Sequence, residues 1–343
     1  MPDEHTITAE ALTGFGTEIL ARAGCTPAIA AEVALHLVDA ELCGVYSHGI
    51  FRLDSYARRA LAGRYAAGAE PVRALADGGA TIIDGGNGLG IPALRMASED
   101  AIAAARRDGV AAIGVANVDH TGRLAAFARE GADAGCLMII FGGGSRVEWR
   151  QVAPHGGARA MLPTNPFAFG MPGGERGPVI VDFATSMGAS GKVSAARLEG
   201  RAIEPGMCID AEGRPTTRPE DYFAGGALLP MAGPKGYGLA LLAELLGEAI
   251  MGEAKSGMNW ICVAVDLARF RAPQAYRKAA EECLAEMRAC PPAPGFTQVE
   301  IPGEREAALR AQRLVHGIPV PEGTLALLRR LGSDLGVRLD TPG

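Results

Sequence analysis

Asp84-Gly85-Gly86-Asn87-Gly88-Leu89-Gly90 joins a short apolar run, residues 80–83, to a helix-forming stretch that begins at Ile91. The reading of this turn decides the fold. Glycines between a strand and a helix can let a pyrophosphate approach the helix N-terminus, as in a Rossmann unit. Two features oppose that reading. The spacing is G-x-G-x-G instead of G-x-G-x-x-G, and no acidic residue closes a second strand about 20 positions on, Asp119 being too far. A tight structural turn is the better reading.

Outward from this turn, strand-like and helical segments alternate. Residues 80–84 read as a strand, 91–108 as a helix, 110–116 as a strand, 124–134 as a helix and 136–141 as an apolar strand. That alternation predicts an α/β layer structure. Further strands are expected at 179–183 and 261–265, and an apolar helix at 236–251. Residues 8–65 read as helices: Thr8 caps the first, Gly24 stops it, and Thr26-Pro27 opens the second. Two charged amphipathic helices are expected near 304–316 and 322–336. The expected organisation is a helical domain from residues 1–75 with 292–343, around an α/β body at 76–291.

Composition narrows the function classes. The chain has 343 residues, enough for roughly two domains of about 150 residues each. A net charge of -6 leaves no basic face for nucleic acid. No run approaches the ~20 apolar residues of a membrane span, and the acidic N-terminus does not resemble a secretory signal. Seven scattered cysteines with no C-x-x-C favour reduced thiols and a cytoplasmic location. Metal-ligand spacing and a G-x-S-x-G nucleophile elbow are both missing, so no metal is expected.

Four clusters can carry chemistry. In "GVYSHGIFR", residues 44–52, a helical conformation would put His48 and Arg52 one turn apart, with Tyr56 continuing the face and Ser47 within hydrogen-bonding reach. A guanidinium fork suits a carboxylate or a phosphate; a surface i,i+4 pair is the plainer reading. In "NVDHTGR", residues 117–123, His120 follows a strand and could exchange a proton near neutrality, with Asp119 tuning it and Arg123 holding a carboxylate. The plainer reading is a turn with a solvated histidine. Residues 230–238, "PMAGPKGYG", form a Gly/Pro loop running into a helix, where backbone N–H groups and Lys235 could hold an anion. Asp182 to Met187 closes a strand with small hydroxyl donors.

Taken together, "SHGIFRLDSY", "NVDHTGR", "LPTNPFAFGMP", "VIVDFATSMGASGKV", "GALLPMAGPKGYGLALLAELL" and "IPGERE…RLVHGIPVPEGT" resemble the malate/L-lactate dehydrogenase family of the second, non-Rossmann type. That group also holds ureidoglycolate and sulfolactate dehydrogenases, diketogulonate reductase and cyclic imino acid reductases. The resemblance runs from about residue 5 to 335. It implies an unusual α/β fold with a mixed sheet, a homodimer, and hydride transfer between NAD or NADP and a small 2-oxo or 2-hydroxy acid. It places His48 and His120 at the reaction centre, with Ser47 beside them and either histidine as the proton donor. Arg52 would grip the substrate carboxylate, with Tyr56, Thr164 and Asn165 lining the substrate. Asp182, Phe183, Ala184, Thr185, Ser186, Met187 and Gly188 would wrap the dinucleotide, as would Pro234, Lys235, Gly303, Glu304 and Arg305.

Four departures set the chain apart within that resemblance. Tyr46 precedes Ser-His-Gly where a small polar group is usual, Pro163 replaces a glycine, the 252–259 loop is short, and Thr121-Gly122-Arg123 follows His120. All four are expected to border substrate or cofactor. The nearest rival reading is a cyclic imino acid reductase of the same fold, whose C=N substrate can arrive already protonated. A non-catalytic ligand-binding member is a more distant one.

Overall fold

In the computed structural model, residues 4–145 and 149–339 are described, so the outermost residues of the expected helical domain lie outside the description. The strand Thr81–Gly88, the helix Gly90–Asp108 and the strand Val110–Val118 follow one another as the alternation predicts. The two strands pair in parallel. They are the one parallel pair in a seven-stranded sheet ordered Val72–Leu75, Thr81–Gly88, Val110–Val118, Asn259–Asp266, Cys136–Gly143, Pro166–Met171, Val179–Ala184. Every other neighbour is antiparallel. A Rossmann sheet needs a succession of parallel strands, so this is the mixed, non-Rossmann sheet expected.

The glycines of the opening turn serve backbone packing. Gly86 and Asn87 have φ of 59° and 58°, where the pairing register shifts. A Cβ on Gly90 would collide with Thr121 and the Asp119 carbonyl, and one on Gly85 with Val118. The Asp119 N–H donates to the Gly88 carbonyl at 2.8 Å and the Gly90 N–H to the His120 carbonyl at 3.1 Å. The turn is therefore a seat for the loop that carries His120.

Period-two alternation sorts the central strands between two faces. Trp260, Cys262 and Ala264, with Met138 and Ile140, point into the main core beneath the helices Gly90–Asp108 and Ala125–Asp133. Ile261 and Val263, with Ile139 and Phe141, join Phe167, Phe169 and Phe183 on the opposite face. That face is partly covered by the helix Pro234–Glu244. The expected helix at 236–251 changes character after Glu244, where Leu245–Ile250 widens into a π-helical turn.

The chain ends meet. Glu4–Ile7 pairs antiparallel with Ile318–Pro321, and the helix Glu322–Leu335 packs on Ala9–Arg22 and Arg52–Leu61. Thr8 and Thr26 cap the first two helices, accepting from the Ala11 and Ile29 N–H groups. Leu12, Ile19, Leu37, Leu325 and Leu331 belong to the same continuous apolar core as the sheet.

Candidate active site

The segment 44–52 is not one helix. Tyr46–His48 forms a single 3-10 turn, the chain runs extended through Gly49, and the helix Arg52–Leu61 starts only at Arg52. The expected His48–Arg52 pair on one helical face is therefore not formed. Arg52 instead turns back, its Nε donating to the Ser47 carbonyl at 2.9 Å. Glycine is required at 49 because a Cβ there would overlap the Glu41 carboxyl.

His120 and His48 come together from opposite sides. Their rings stack at 5.6 Å between centroids and 28° between planes. Ser47 Oγ lies 2.9 Å from His48 Nδ1. Tyr56 Oη lies 2.6 Å from His120 Nδ1, which also accepts the Gly122 N–H at 3.1 Å. A backbone N–H can only donate, so Nδ1 carries a lone pair and the ring proton sits on Nε2. Tyr56 Oη must then donate to Nδ1 as well. Both histidines are held neutral: burial, then the Arg52 and Arg123 charges, push His48 down to about 4. Burial, then Arg52 and His48, hold His120 well below its ordinary value.

Asp119 supports the loop more than the imidazole. Its carboxylate accepts the His120 backbone N–H at 2.6 Å and takes a bidentate grip from Arg59 at 2.9 and 2.5 Å. Arg123 is buried and committed elsewhere. It reaches Asp39 Oδ2 at 2.6 Å and Cys43 Sγ at 3.3 Å, and its N–H donates to His36 Nε2. Arg52 is the guanidinium left for a ligand, its terminal nitrogens making no hydrogen bond to a described residue.

The candidate cofactor segments gather along the edge strand Val179–Ala184. Asp182 accepts the Ala125 N–H at 2.9 Å, tying this strand to the helix that follows the His120 loop. Thr185 bonds the Thr164 carbonyl through N and Oγ1, and Ser186 bridges to Pro230. Ala232 and Gly233, with φ of 47° and 60°, turn the chain into the helix that opens at Pro234 beside exposed Lys235. A Cβ on Gly236 would collide with the Met231 and Thr185 carbonyls, so the loop is a close-packed turn, and its Gly233, Lys235, Gly236 and Tyr237 N–H groups donate to carbonyls of the loop itself. At the other end of the strand, Gly303 sits on Ile180 at φ 98°, and the Ile180 N–H donates to the Pro302 carbonyl. Glu304 is engaged by Arg288 at 2.8 Å and Arg305 by Glu306 at 3.0 Å.

Asn165 is fully buried with φ 37°, and its amide donates inward to Glu244 Oε1 at 2.6 Å and to the Gly142 carbonyl. It braces the loop bearing Thr164 and turns its side chain away from solvent. The short 252–259 loop rests on the His120 strand, Ser256 Oγ and the Gly257 N–H both donating to the Val118 carbonyl at 2.8 Å. Sequence reasoning missed Asp39, Glu41, Arg59, Arg310 and Arg313. A signal existed for the first two: with Glu32 and His36 they interrupt an otherwise apolar helix, Pro27–Leu42, and all four are buried or half-buried. Among the described residues no group of three or more His, Cys, Asp or Glu could hold a metal ion.

On this mixed-sheet α/β body, two stacked neutral histidines lie beside a guanidinium, groups able to exchange a proton and to bind an anion. The sequence matches the family model for malate/L-lactate dehydrogenase over residues 7–329. It is 33% identical over 330 residues to the ureidoglycolate dehydrogenase (NAD(+)) of Escherichia coli O157:H7, covering 92% of each chain. It is 36% identical over 238 residues to a Delta(1)-pyrroline-2-carboxylate/Delta(1)-piperideine-2-carboxylate reductase of Pseudomonas putida, covering 68% of this chain and 67% of that one. The malate dehydrogenase structure from Pyrococcus horikoshii OT3 superposes with a TM-score of 0.86 at 27% identity, covering 99% of both chains. The chain belongs to the malate/L-lactate dehydrogenase family. It is an oxidoreductase, of a family whose members act on hydroxy and oxo acids and include the piperideine-carboxylate reductases.

Proposed function

We propose that the chain interconverts a small 2-oxo acid and its 2-hydroxy acid, with His120 giving its Nε2 proton as Tyr56 Oη passes one to Nδ1, and Arg52 holding the carboxylate. The observation that carries this reading is the tautomer of His120: two donors on Nδ1 leave an Nε2–H beside the stacked His48 ring. That N–H stabilises the charge that develops on a ketone oxygen as it is reduced. Arg52 fixes the face of C2 that is attacked. Its charge is also what depresses both histidines after burial, so a substrate carboxylate that neutralises Arg52 makes them more basic when proton exchange is needed. His48, oriented by Ser47, completes the polar wall.

Exposed Lys235, at the start of the helix Pro234–Glu244, would hold a dinucleotide phosphate, and Asp182 to Gly188, Pro234 and Gly303 to Arg305 are the residues that would hold the rest of the cofactor. Bound there, a nicotinamide dinucleotide supplies the hydride. NAD is favoured over NADP because Arg305 is already paired with Glu306 and so is not a bare cation for a 2′-phosphate. A homodimer is favoured by the exposed Leu241, Leu242, Leu245 and Ile250, which adjoin the half-buried sheet face around Phe169 and Val263. Cytoplasmic residence is consistent with seven cysteines that form no disulfide among the described residues.

A second reading, reduction of a cyclic imino acid, is favoured by one observation. Both histidines are held neutral, which suits an iminium whose nitrogen already carries its proton. Assaying a panel of 2-oxo acids and cyclic imines with NADH and with NADPH tests both readings. Nicotinamide oxidation confined to the imines selects the second, and the absence of oxidation with every oxo acid and imine overturns both.

A further inference from the structure

The loop that bears Ser47 and His48 hangs between two fixed points. On one side Arg313, from the helix Glu304–His316, donates to Tyr46 Oη at 2.6 Å and to the Glu41 carbonyl. On the other the Glu41 carboxylate, 4% exposed in the last turn of the helix Pro27–Leu42, accepts the Ile50 N–H at 2.9 Å. Gly49 lies directly against that carboxyl, with no room for a Cβ. Glu41 touches neither histidine, yet it fixes the residues that immediately follow His48. We propose that Glu41 is the positioning residue of His48, its ionised carboxylate holding the turn that presents Ser47 and His48 to the substrate, so that turnover falls as Glu41 is protonated. The inference rests on the reading of His48 as part of the oxo-acid site.

The surroundings make this ionisation the one that matters near neutrality. Burial raises Glu41 to about 7, against the opposing pull of the Ile50 N–H and Arg313. Arg313 is the charge that faces it from the helix Glu304–His316. On its own helix Asp39 is neutralised by Arg123 and Arg310, at 2.6 and 2.9 Å. On the loop His48 stays neutral, since it titrates near 4. A bond from an N–H to a carboxylate is roughly twice as strong as one to a neutral acid. Protonating Glu41 therefore slackens the Gly49–Ile50 anchor without charging either histidine.

The test compares wild type, Glu41→Gln and Glu41→Asp in oxo-acid reduction at saturating cofactor, from about pH 5 to about pH 9. The wild type should lose kcat as the pH falls through neutrality. Glu41→Gln should be flat over that window, with kcat lowered by about 10- to 100-fold, the cost expected of a misplaced reacting group. Glu41→Asp should restore part of the inflection, and affinity for the reduced cofactor, read by fluorescence titration, should be unchanged in all three. A folded Glu41→Gln enzyme that keeps the wild-type inflection overturns the proposal. If Glu41→Gln does not fold, the Ile50 amide resonance of the wild type decides instead. It should shift with a midpoint near neutrality, and a signal constant over the same range overturns the proposal. That resonance needs no substrate, so a wild type inactive on every oxo acid and imine would defeat the functional reading while Ile50 still reported on Glu41.

Discussion

Tyr56 Oη lies 2.6 Å from Nδ1 of His120, 64 residues away in sequence, and donates to a nitrogen already occupied by the Gly122 N–H. Tyr56 is itself buried, which pushes its hydroxyl above its ordinary range and keeps it protonated. Removing the hydroxyl leaves one donor on Nδ1 in place of two and loosens the tautomer. Tyr56→Phe should lower kcat by about 10- to 100-fold with little change in KM. Nitrogen-15 shifts of His120 should show a mixed tautomer in the variant. A variant with wild-type kcat would remove Tyr56 from the proton path.

His120→Gln keeps a side-chain donor and the volume but cannot release a proton. It should lose about 10²- to 10⁴-fold in kcat/KM, the usual worth of a general acid. His48→Ala should also be strongly impaired, and both should retain the wild-type circular dichroism spectrum. Near-normal turnover in both single variants would show that neither imidazole is the acid and would favour the imine reading.

Arg52 is tested by charge and by shape. Arg52→Lys keeps the charge and loses the fork, so KM for the acid should rise about tenfold while kcat changes less. Arg52→Met removes the largest charge acting on His48 after burial, so the His48 imidazole should titrate higher than about 4, followed by proton NMR. An unmoved titration would mean that burial alone depresses it.

Much of the fold is local enough to read from the chain. Thr8 and Thr26 announce their helices, and Val110–Val118 and Cys136–Gly143 announce their strands. Sheet order is not local: Asn259–Asp266 inserts between those two strands from more than a hundred residues downstream, and nothing in its own apolar pattern names its neighbours. The site divides the same way. Ser47, His48, Arg52 and His120 are visible as chemistry-bearing residues in short stretches. Their supports are not, because Arg313 reaches Tyr46 from 267 residues away and Arg310 reaches Asp39 from 271. The 44–52 segment misleads for a related reason: its propensity permits a helix, but Gly44 turns at φ 73° and the Glu41 carboxylate takes the Ile50 N–H that a helix would use.

His36 sets part of the acid limit of stability. Burial, then Arg123 and Arg95, lower it to about 3, from an unfolded value near 6.5. Between those values the unfolded chain binds a proton that the folded one refuses, so stability is lost as the pH falls through that window. Glu41, raised to about 7, acts in the opposite sense, favouring the folded state as it takes up its proton. His36→Gln keeps an acceptor for the Arg123 N–H and removes the titration. Its melting temperature should fall less than that of the wild type between about pH 7 and about pH 4. Equal losses in the two proteins would assign the acid limit to other groups.

The glycines of the opening turn make the last prediction, because they separate a phosphate loop from a seat for His120. At Gly90 a Cβ would strike Thr121 and the Asp119 carbonyl, so Gly90→Ala must push the His120 loop away from the helix that supports it. Overpacking of this kind costs about 1–3 kcal/mol and moves backbone. In a phosphate loop the damage would fall on cofactor affinity. In this structure it falls on the Gly90–His120 and Gly88–Asp119 hydrogen bonds. Gly90→Ala should therefore lower kcat while leaving the dissociation constant of the reduced cofactor within about twofold. Gly78, with nothing within 4 Å of its Cβ position, supplies the control, and Gly78→Ala should leave both quantities unchanged. Weakened cofactor binding with kcat preserved in Gly90→Ala would return the turn to a phosphate-binding role.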